Sequence, residues 1–442
     1  MSDNKKQRND ESGSSSSSPI QNTPSSFLDL RTTHGQVLFL VITVAISSLV
    51  QFIPREFVTN TLTVFTSKST NVCVNQTQKT KPIYWTYGKG ANDNHLRHVH
   101  LVLERLGFDL GTNETDWDLL WAHDYPFRVF YPKLHQLKPH QKVNHFPGCG
   151  YLTNKVDLAT SNLKYIPRAF KLPKDKDDFL YYSNKFPNKL FVQKNNQHRD
   201  IYVRNITEID FENNDTFIQE YVDNPLLVDG HKFDIGVYVI ITSIDPLRVY
   251  VYKGDMLFRY CPIKYYPFDA KILDKYVVGD DYLPTWEVPS LAQYYTSLGF
   301  GMKDSFDAYM KTKGKSTEAI WIQVEDAIRT AILAKEKLIA DILKKFKSKN
   351  NFFEMMRFDL VIDDTLKVHL LEANMSPNLS SAHFLQNTLL YEQVIYNLLN
   401  LVGVGSSLHR ESLRKSMLQG NGFKCPKVEI VDVGKKFSMK IN

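Results

Sequence analysis

The sequence predicts an α+β protein in which antiparallel strand pairs alternate with helices. Two pairs of apolar segments are separated by short polar turns, 233–243 with 246–252 and 358–362 with 367–371. This pattern is typical of β-hairpins. Between them, segment 317–346 predicts a long amphipathic helix, because its apolar residues recur at helical spacing. These residues are Ile320, Val324, Ile328, Ile332, Leu338 and Ile342. Strand pairs with intervening helices favour the α+β class.

The other elements of the folded region follow from shorter apolar runs. In chain order we predict a strand at 83–85, a helix at 98–106 that ends at Gly107, a strand at 117–121, paired strands at 189–192 and 200–203, a strand at 217–222, and a helix at 389–401. The expected domain is 81–403, with a small N-terminal α/β subdomain at 81–145, a central subdomain at 146–225 and a C-terminal subdomain at 226–403.

The composition excludes several classes of protein. The chain has 442 residues, of which 43% are hydrophobic and 23% charged, so it can bury a large core. Its 54 basic and 48 acidic residues leave a net charge of +6, which is too small to predict nucleic-acid binding. The four cysteines form no CxxC pair, so neither a zinc site nor a disulfide scaffold is expected.

The N-terminal 80 residues predict a membrane anchor. A polar, serine-rich tail at 1–34 is expected to be disordered, and residues 35–53 form an apolar run without charge. Such a run is close to the ~20 residues that cross a bilayer, so we predict a single-pass helix followed by a stem at 54–80. Arg31 precedes the run, and Arg55 and Lys68 follow it, which favours a cytosolic body by one charge. N-x-S/T sequons, among them those at Asn75, Asn113, Asn205, Asn214 and Asn378, leave a luminal body as the alternative.

Three oxygen-bearing side chains on the last predicted hairpin suggest a metal site. Glu372 and Asn374 are two residues apart and therefore share one face of their strand. Asp359 lies on the neighbouring strand and can meet them across the pair. Two carboxylates and an amide suit Mg²⁺, which prefers oxygen ligands together with phosphate and water. A hairpin with a solvated polar face is the alternative.

Basic residues near the ends of other strands suggest a phosphate site. Lys232 and Asp234 share a strand face, Arg259 ends the strand that follows, and Lys194 ends an earlier one. Cationic side chains that converge from several strands can neutralise a triphosphate, as phosphoryl transfer requires. Taken singly, each is better explained as a surface charge.

Five motifs in this order resemble the tubulin–tyrosine ligase-like family, and more closely its polyglutamylating branch, over about residues 83–403. They are Lys142-Val-Asn-His-Phe-Pro147, Gln219-Glu-Tyr-Val-x-x-Pro225, Lys232-Phe-Asp234, Thr242-Ser-Ile-Asp-Pro-Leu-Arg248, and Phe358-Asp359 followed by Leu-Leu-Glu372-Ala-Asn374-x-Ser-Pro377. The resemblance implies an ATP-grasp-like fold, in which two antiparallel sheets enclose ATP and Mg²⁺. It also implies ATP-dependent ligation of glutamate, the co-substrate, to tubulin tails through an acyl phosphate.

The resemblance also implies roles for single residues. Asp359, Glu372 and Asn374 match the Mg²⁺–ATP ligands, and Lys194 matches the lysine on the nucleotide phosphates. Residues matching the hinge around adenine are Gln219, Glu220, Tyr221 and Val222. Residues matching the reaction centre near the phosphates are Lys232, Asp234 and Arg259.

The chain departs from the family pattern at the phosphate contacts. Segment 195–201 contains no glycine where the family has a glycine-rich loop, and glycines let backbone N–H groups approach phosphate. Gly236 stands where the resemblance places an arginine, so one positive charge is expected to be missing. We expect that an arginine fits at 236 without rebuilding the strand, and that Gly236→Arg raises activity. No His-Leu-Thr-Asn element follows Arg259.

These departures leave three functions open. The first is an active, membrane-anchored tubulin glutamylase. The second is a weak or inactive member of the family that still binds tubulin or nucleotide. The third is a ligase for another acceptor, with the body in a lumen. Transfer of labelled glutamate separates the first two, and a glycosidase mobility shift identifies the third.

The C-terminal segment carries most of the net charge of the chain. Residues 401–442 contain eight Lys or Arg and three Asp or Glu, an excess of five positive charges. We expect this basic tail, 404–442, to attract acidic partners such as tubulin tails in a salt-dependent manner. A solvated tail without a partner is the alternative.

The anchor prediction is tested by extraction at alkaline pH. Because residues 35–53 are expected to cross the bilayer, carbonate treatment of membranes should leave the full chain in the pellet. A variant that lacks 35–53 serves as the control and should be released. Recovery of the full chain in the supernatant would contradict the anchor.

Overall fold

The computed structural model describes residues 81–89, 94–195, 201–214 and 216–404. Among them, no helix combines the length and apolarity that crossing a membrane requires. The predicted tail, anchor and stem at 1–80 lie outside the described residues, as do the loop 196–200 and the basic segment 405–442.

The N-terminal part is a small parallel sheet with one main helix beside it. The strand order is β2-β1-β3-β4, and all three pairs are parallel. The strands are β1 (Ile83–Tyr87), β2 (Asp109–Leu110), β3 (Leu119–Ala122) and β4 (Lys142–Val143). The helices are α1 (Arg97–Arg105) and α2 (Tyr131–Leu134). Helix α1 ends where predicted, and Gly107 adopts a φ of +80°, which glycine accepts without strain.

The central part is a four-stranded antiparallel sheet with order β5-β8-β6-β7. Its strands are β5 (Ala169–Lys171), β6 (Phe191–Asn195), β7 (Tyr202–Arg204) and β8 (Thr216–Glu220). The helices of this part are α3 (Gly150–Thr153), α4 (Lys155–Ala159) and α5 (Lys176–Lys185). Phe170, Phe179 and Phe191 form the centre of its own small core.

The C-terminal part is built on a seven-stranded antiparallel sheet. Along its main path the order is β13-β12-β10-β14-β15, and β9 and β11 also pair with β10. The strands are β9 (Leu227–Val228), β10 (His231–Ile244), β11 (Leu247–Val251), β12 (Leu257–Tyr260), β13 (Leu283–Pro284), β14 (Glu354–Ile362) and β15 (Val368–Asn374). The helices are α6 (Pro289–Ala292), α7 (Met302–Thr312), α8 (Glu318–Leu343) and α9 (Thr388–Leu401). The predicted α+β class with antiparallel sheets is confirmed.

Helix α8 covers the apolar face of this sheet, but its buried stripe differs from the prediction at one end. Leu338 is 43% exposed, whereas Ile339 and Leu343 are buried. Over 26 residues, a repeat of 3.6 continues from Ile332 to 339 and 343 rather than to 338 and 342. The same core contains Phe306 of α7, which packs on Phe258 at 5.2 Å between ring centroids.

One predicted motif turns out to join two sheets. Asn144, which follows β4, accepts from the Ala122 N–H at 2.7 Å and donates to the Ala122 carbonyl at 2.8 Å. His145 Nδ1 lies 2.7 Å from Glu354 Oε1 at the start of β14, and the Phe146 N–H donates to Glu354 Oε2. Segment 142–147 therefore fixes the N-terminal sheet to the C-terminal one through fully buried polar groups.

Loss of the Asn144 side chain should destabilise the protein. Asn144→Ala leaves the buried Ala122 N–H without its partner, which costs about 1–3 kcal/mol. The melting temperature should fall by a few degrees, measured by circular dichroism. Asn400→Ala, at an exposed position of α9, is the matched control and should leave it unchanged. Equal melting temperatures for both variants would contradict this role.

Candidate functional site

All the predicted site residues line one cavity between the two antiparallel sheets. The cavity has a volume of about 550 Å³, within the range of nucleotide-sized ligand sites. The central sheet contributes Lys194, Gln219 and Glu220, with Tyr221 and Val222 just beyond β8. The C-terminal sheet contributes Lys232, Asp234, Arg259, Asp359, Glu372 and Asn374.

The three proposed metal ligands come together because of a β-bulge. Leu360 pairs with Leu370, yet Asp359 pairs with Glu372, so β15 contains one extra residue between the two pairs. If the pairing continued regularly from Leu360 and Leu370, Leu371 would lie opposite Asp359 and Glu372 opposite Phe358, on the face that packs in the core. The bulge thus brings both carboxylates to the cavity face.

The geometry of these three side chains suits a hard cation. Asn374 Nδ2 lies 3.1 Å from both Asp359 Oδ2 and Glu372 Oε1. A half-turn of the amide would direct its oxygen to the same point. Burial by itself raises the pKa of Glu372, but Lys155, 2.9 Å away, and the hydrogen bond from Asn374 hold it far below its usual range. Glu372 is therefore ionised, and the donor set of oxygens fits Mg²⁺.

Two arginines hold the carboxylates at the centre of the cavity. Arg259 binds Asp234 through two hydrogen bonds of 2.9 and 2.8 Å and reaches Asp359 at 3.2 Å. Arg357 binds both oxygens of Asp359, at 2.6 and 2.8 Å. Burial raises the pKa of Asp359, and the charges of Arg357 and Arg259 oppose this rise.

Of the three lysines that line the cavity, Lys194 and Lys232 are less fully compensated than Lys155. Burial lowers the pKa of Lys194 to about 8, and the nearby charge of Glu372 only partly opposes this effect. Lys194 Nζ donates to Gln219 Oε1 at 3.1 Å, and Lys232 Nζ donates to the Tyr276 carbonyl at 2.9 Å. Neither lysine has an ion-pair partner among the described residues, so both remain available to an anion.

The predicted hinge offers one backbone donor. The N–H groups of Glu220 and Tyr221 already bond to the Arg168 and Leu190 carbonyls, at 2.8 and 2.9 Å. Within the described part of the chain, the N–H of Val222 has no hydrogen-bond partner. Of the four hinge residues, Val222 is therefore the one that can donate to the edge of a base.

The expectation that an arginine fits at position 236 without rebuilding the strand is wrong. A Cβ at this position would lie 2.7 Å from Cδ and 3.2 Å from Nε of Arg357, so the space for an arginine is already filled. The expected loss of a positive charge at the phosphates stays a prediction, and the side chain that fills the space over the glycine is itself an arginine, Arg357. The glycine-free loop falls on residues 196–200, outside the described residues.

Sequence reasoning missed two cations of the cavity, Arg357 and Lys155. A signal for Arg357 was available, because it precedes Asp359 by two residues and so shares its strand face. Lys155 lies on helix α4, far from the motifs in sequence, and pairs with Glu372 only through the fold.

Comparison with known proteins identifies relatives over most of the folded region. A sequence profile of the tubulin-tyrosine ligase family matches residues 133–411, more than half of the chain. The probable tubulin polyglutamylase ttll-15 of Caenorhabditis elegans is 43% identical over 332 residues, which are 73% of this chain and 65% of that protein. Tubulin polyglutamylase TTLL6 of Mus musculus is 32% identical over 356 residues, 75% and 42% of the two chains. The chain thus spans less than two thirds of either relative.

Proposed function

The chain belongs to the tubulin-tyrosine ligase family, and on this premise we propose that it is an ATP-dependent ligase that adds glutamate to glutamate side chains of tubulin tails. The observation that carries the proposal is the cavity in which Asp359, Glu372 and Asn374 face Lys194, Lys232 and Arg259. The two relatives, which are named as tubulin polyglutamylases, support glutamate and tubulin as substrates.

The charges of the cavity support ATP as the co-substrate. Five cations line the cavity, Lys155, Lys194, Lys232, Arg259 and Arg357, and so do five carboxylates. Of the carboxylates, Glu220 is paired with Lys189 and Asp280 is exposed to solvent, which leaves Asp234, Asp359 and Glu372 to balance the five cations. This excess of two positive charges favours a polyanion that arrives with a divalent cation. Asp359, Glu372 and Asn374 would hold Mg²⁺, which supplies charge neutralisation to the phosphate oxygens. In an ATP-grasp-like arrangement, the Val222 N–H would bond the edge of adenine.

The proposed reaction has two steps. A carboxylate oxygen of the acceptor glutamate attacks the γ-phosphorus of ATP, the bond to ADP breaks, and an acyl phosphate forms. The amine of free glutamate then attacks the acyl carbon, loses a proton, and expels inorganic phosphate to leave an amide. Lys194 and Lys232 stabilise negative charge on the phosphoryl oxygens, and Arg259 holds Asp234 and Asp359 in position.

Transfer of labelled glutamate to microtubules tests the proposal. Wild type should incorporate label in an ATP-dependent manner, and Glu372→Gln should lose about 10²-fold in rate, because it removes a charged ligand. Glu287→Gln, at an exposed position, is the matched control. Wild type that is stabilised by Mg²⁺–ATP but transfers no glutamate would reject the active ligase and favour the inactive family member. If wild type and Glu372→Gln transferred glutamate at equal rates, the assignment of Glu372 as a metal ligand would be rejected.

The pKa of Lys194 predicts a pH dependence of ATP binding. Above pH about 8 the unbound lysine is neutral, whereas bound phosphate favours its charged form, so binding takes up a proton. The affinity should be constant below this pH and fall about tenfold per unit above it. Calorimetry at pH 9 in two buffers of different ionisation enthalpy measures the uptake. Lys194→Arg should abolish it, and an unchanged uptake in this variant would assign the proton to another group.

A further inference from the structure

Gly236 and Arg357 form a complementary pair on neighbouring strands. Gly236 lies in the interior of β10 directly opposite Asp359 of β14, and glycine in a strand interior is unfavourable unless another group approaches closely. Here that group is the side chain of Arg357, whose Cδ, Nε and Cγ lie 2.7, 3.2 and 3.3 Å from where a Cβ would be. The absence of a side chain at 236 is therefore what lets Arg357 lie across the strand toward Asp359.

The contacts of Arg357 leave part of its guanidinium for a ligand. Nε and Nη2 bind the two oxygens of Asp359. Among the described residues, Nη1 has no hydrogen-bond partner, and the Arg357 side chain, 6% exposed, lines the cavity. Because Nη1 is not among the fully enclosed polar atoms that lack a partner, it opens onto the cavity and can donate to water or to a ligand there.

Asp359 does not require Arg357 for charge compensation alone. Arg259 also reaches Asp359, at 3.2 Å, so two guanidinium groups contact this carboxylate, whereas Arg259 is the one guanidinium that contacts Asp234 in the described part of the chain. The second arginine adds a positive charge to a cavity in which Lys155, Lys194, Lys232 and Arg259 already outnumber Asp234, Asp359 and Glu372 by four to three. The surplus is suited to an anion with several oxygens.

We propose that Arg357 is a further catalytic residue, whose Nη1 binds the phosphoryl group transferred from ATP. Gly236 makes this possible because it leaves the space that the Arg357 side chain occupies. Arg357 thus supplies from β14 the positive charge that position 236 lacks on β10. The proposal rests on the proposed function, since it assigns Arg357 to the phosphate end of the same cavity. A guanidinium in this role stabilises the charge that develops on the phosphoryl oxygens.

An exchange of the two residues tests the proposal. Arg357→Gly should reduce glutamate transfer by about 10³-fold, and Gly236→Arg should also reduce it, because two side chains then compete for one space. The double variant Gly236→Arg/Arg357→Gly restores one guanidinium from the neighbouring strand and should recover activity to within about tenfold of wild type. Arg248→Gly, at an exposed position of β11 in the same sheet, is the control and should transfer normally.

Two further measurements keep folding and function apart. Arg357→Met retains the aliphatic packing over Gly236 but removes the charge, so without ATP it should still unfold cooperatively, at a temperature lowered by the lost pair with Asp359. Its rise in melting temperature on addition of Mg²⁺–ATP should be smaller than that of wild type. The same ATP-dependent rise should return in the double variant. If wild type transfers no glutamate, the proposed function fails, and the melting shifts still decide the role of Arg357. Full activity and a full ATP-dependent shift in Arg357→Met, or a folded double variant no better than Arg357→Gly, would overturn the proposal.

Discussion

The antiparallel pairing of β10 with β14 is the constraint on which the cavity depends. It places Gly236 opposite Asp359, and the pairing of β10 with β12 places Asp234 opposite Arg259, so the charged groups share one face. On the other face, Phe233 and Phe258 pack with Phe306 under the helices. A slip of one residue would exchange the two faces and bury the charges in the core. The apolar packing therefore maintains the electrostatic arrangement.

The cavity stabilises its own charges by pairing them before any ligand arrives. Each of the three central carboxylates contacts at least one cation, whereas Lys194 is half-buried and has its pKa lowered to about 8. The ion pairs fix the positions of the side chains, so little reorganisation is needed when a polyanion binds. The unpaired lysines supply the attraction. The ion pairs thus fix the geometry of the site, and the lysines attract the ligand.

The sequence predicted the residues of the cavity better than their mutual positions. Alternation along strands was sufficient to place Glu372 with Asn374 and Lys232 with Asp234, since a period of two needs no tertiary information. The meeting of Asp359 with Glu372 depends on an extra residue in β15, which the amino-acid pattern does not reveal. Gly236 suggested a lost positive charge, because the sequence does not reveal that the side chain of Arg357, on another strand, fills the space above it. Hairpin turns and helix periodicity were sufficient to predict the fold class. In the last turns of α8 the predicted buried residues were wrong, because only the exact repeat of 3.6 residues places Ile339 and Leu343 in the core.

The close approach of Gly236 and Arg357 also limits how this site can change during evolution. Any side chain at 236 would meet the atoms of Arg357, so the two positions cannot mutate independently while both the charge and the packing are kept. A lineage that moves the guanidinium between strands must pass through an intermediate with two arginines, which is overcrowded, or with none, which is uncharged. Among relatives, these two alignment columns should consequently covary, although they are 121 positions apart in the chain.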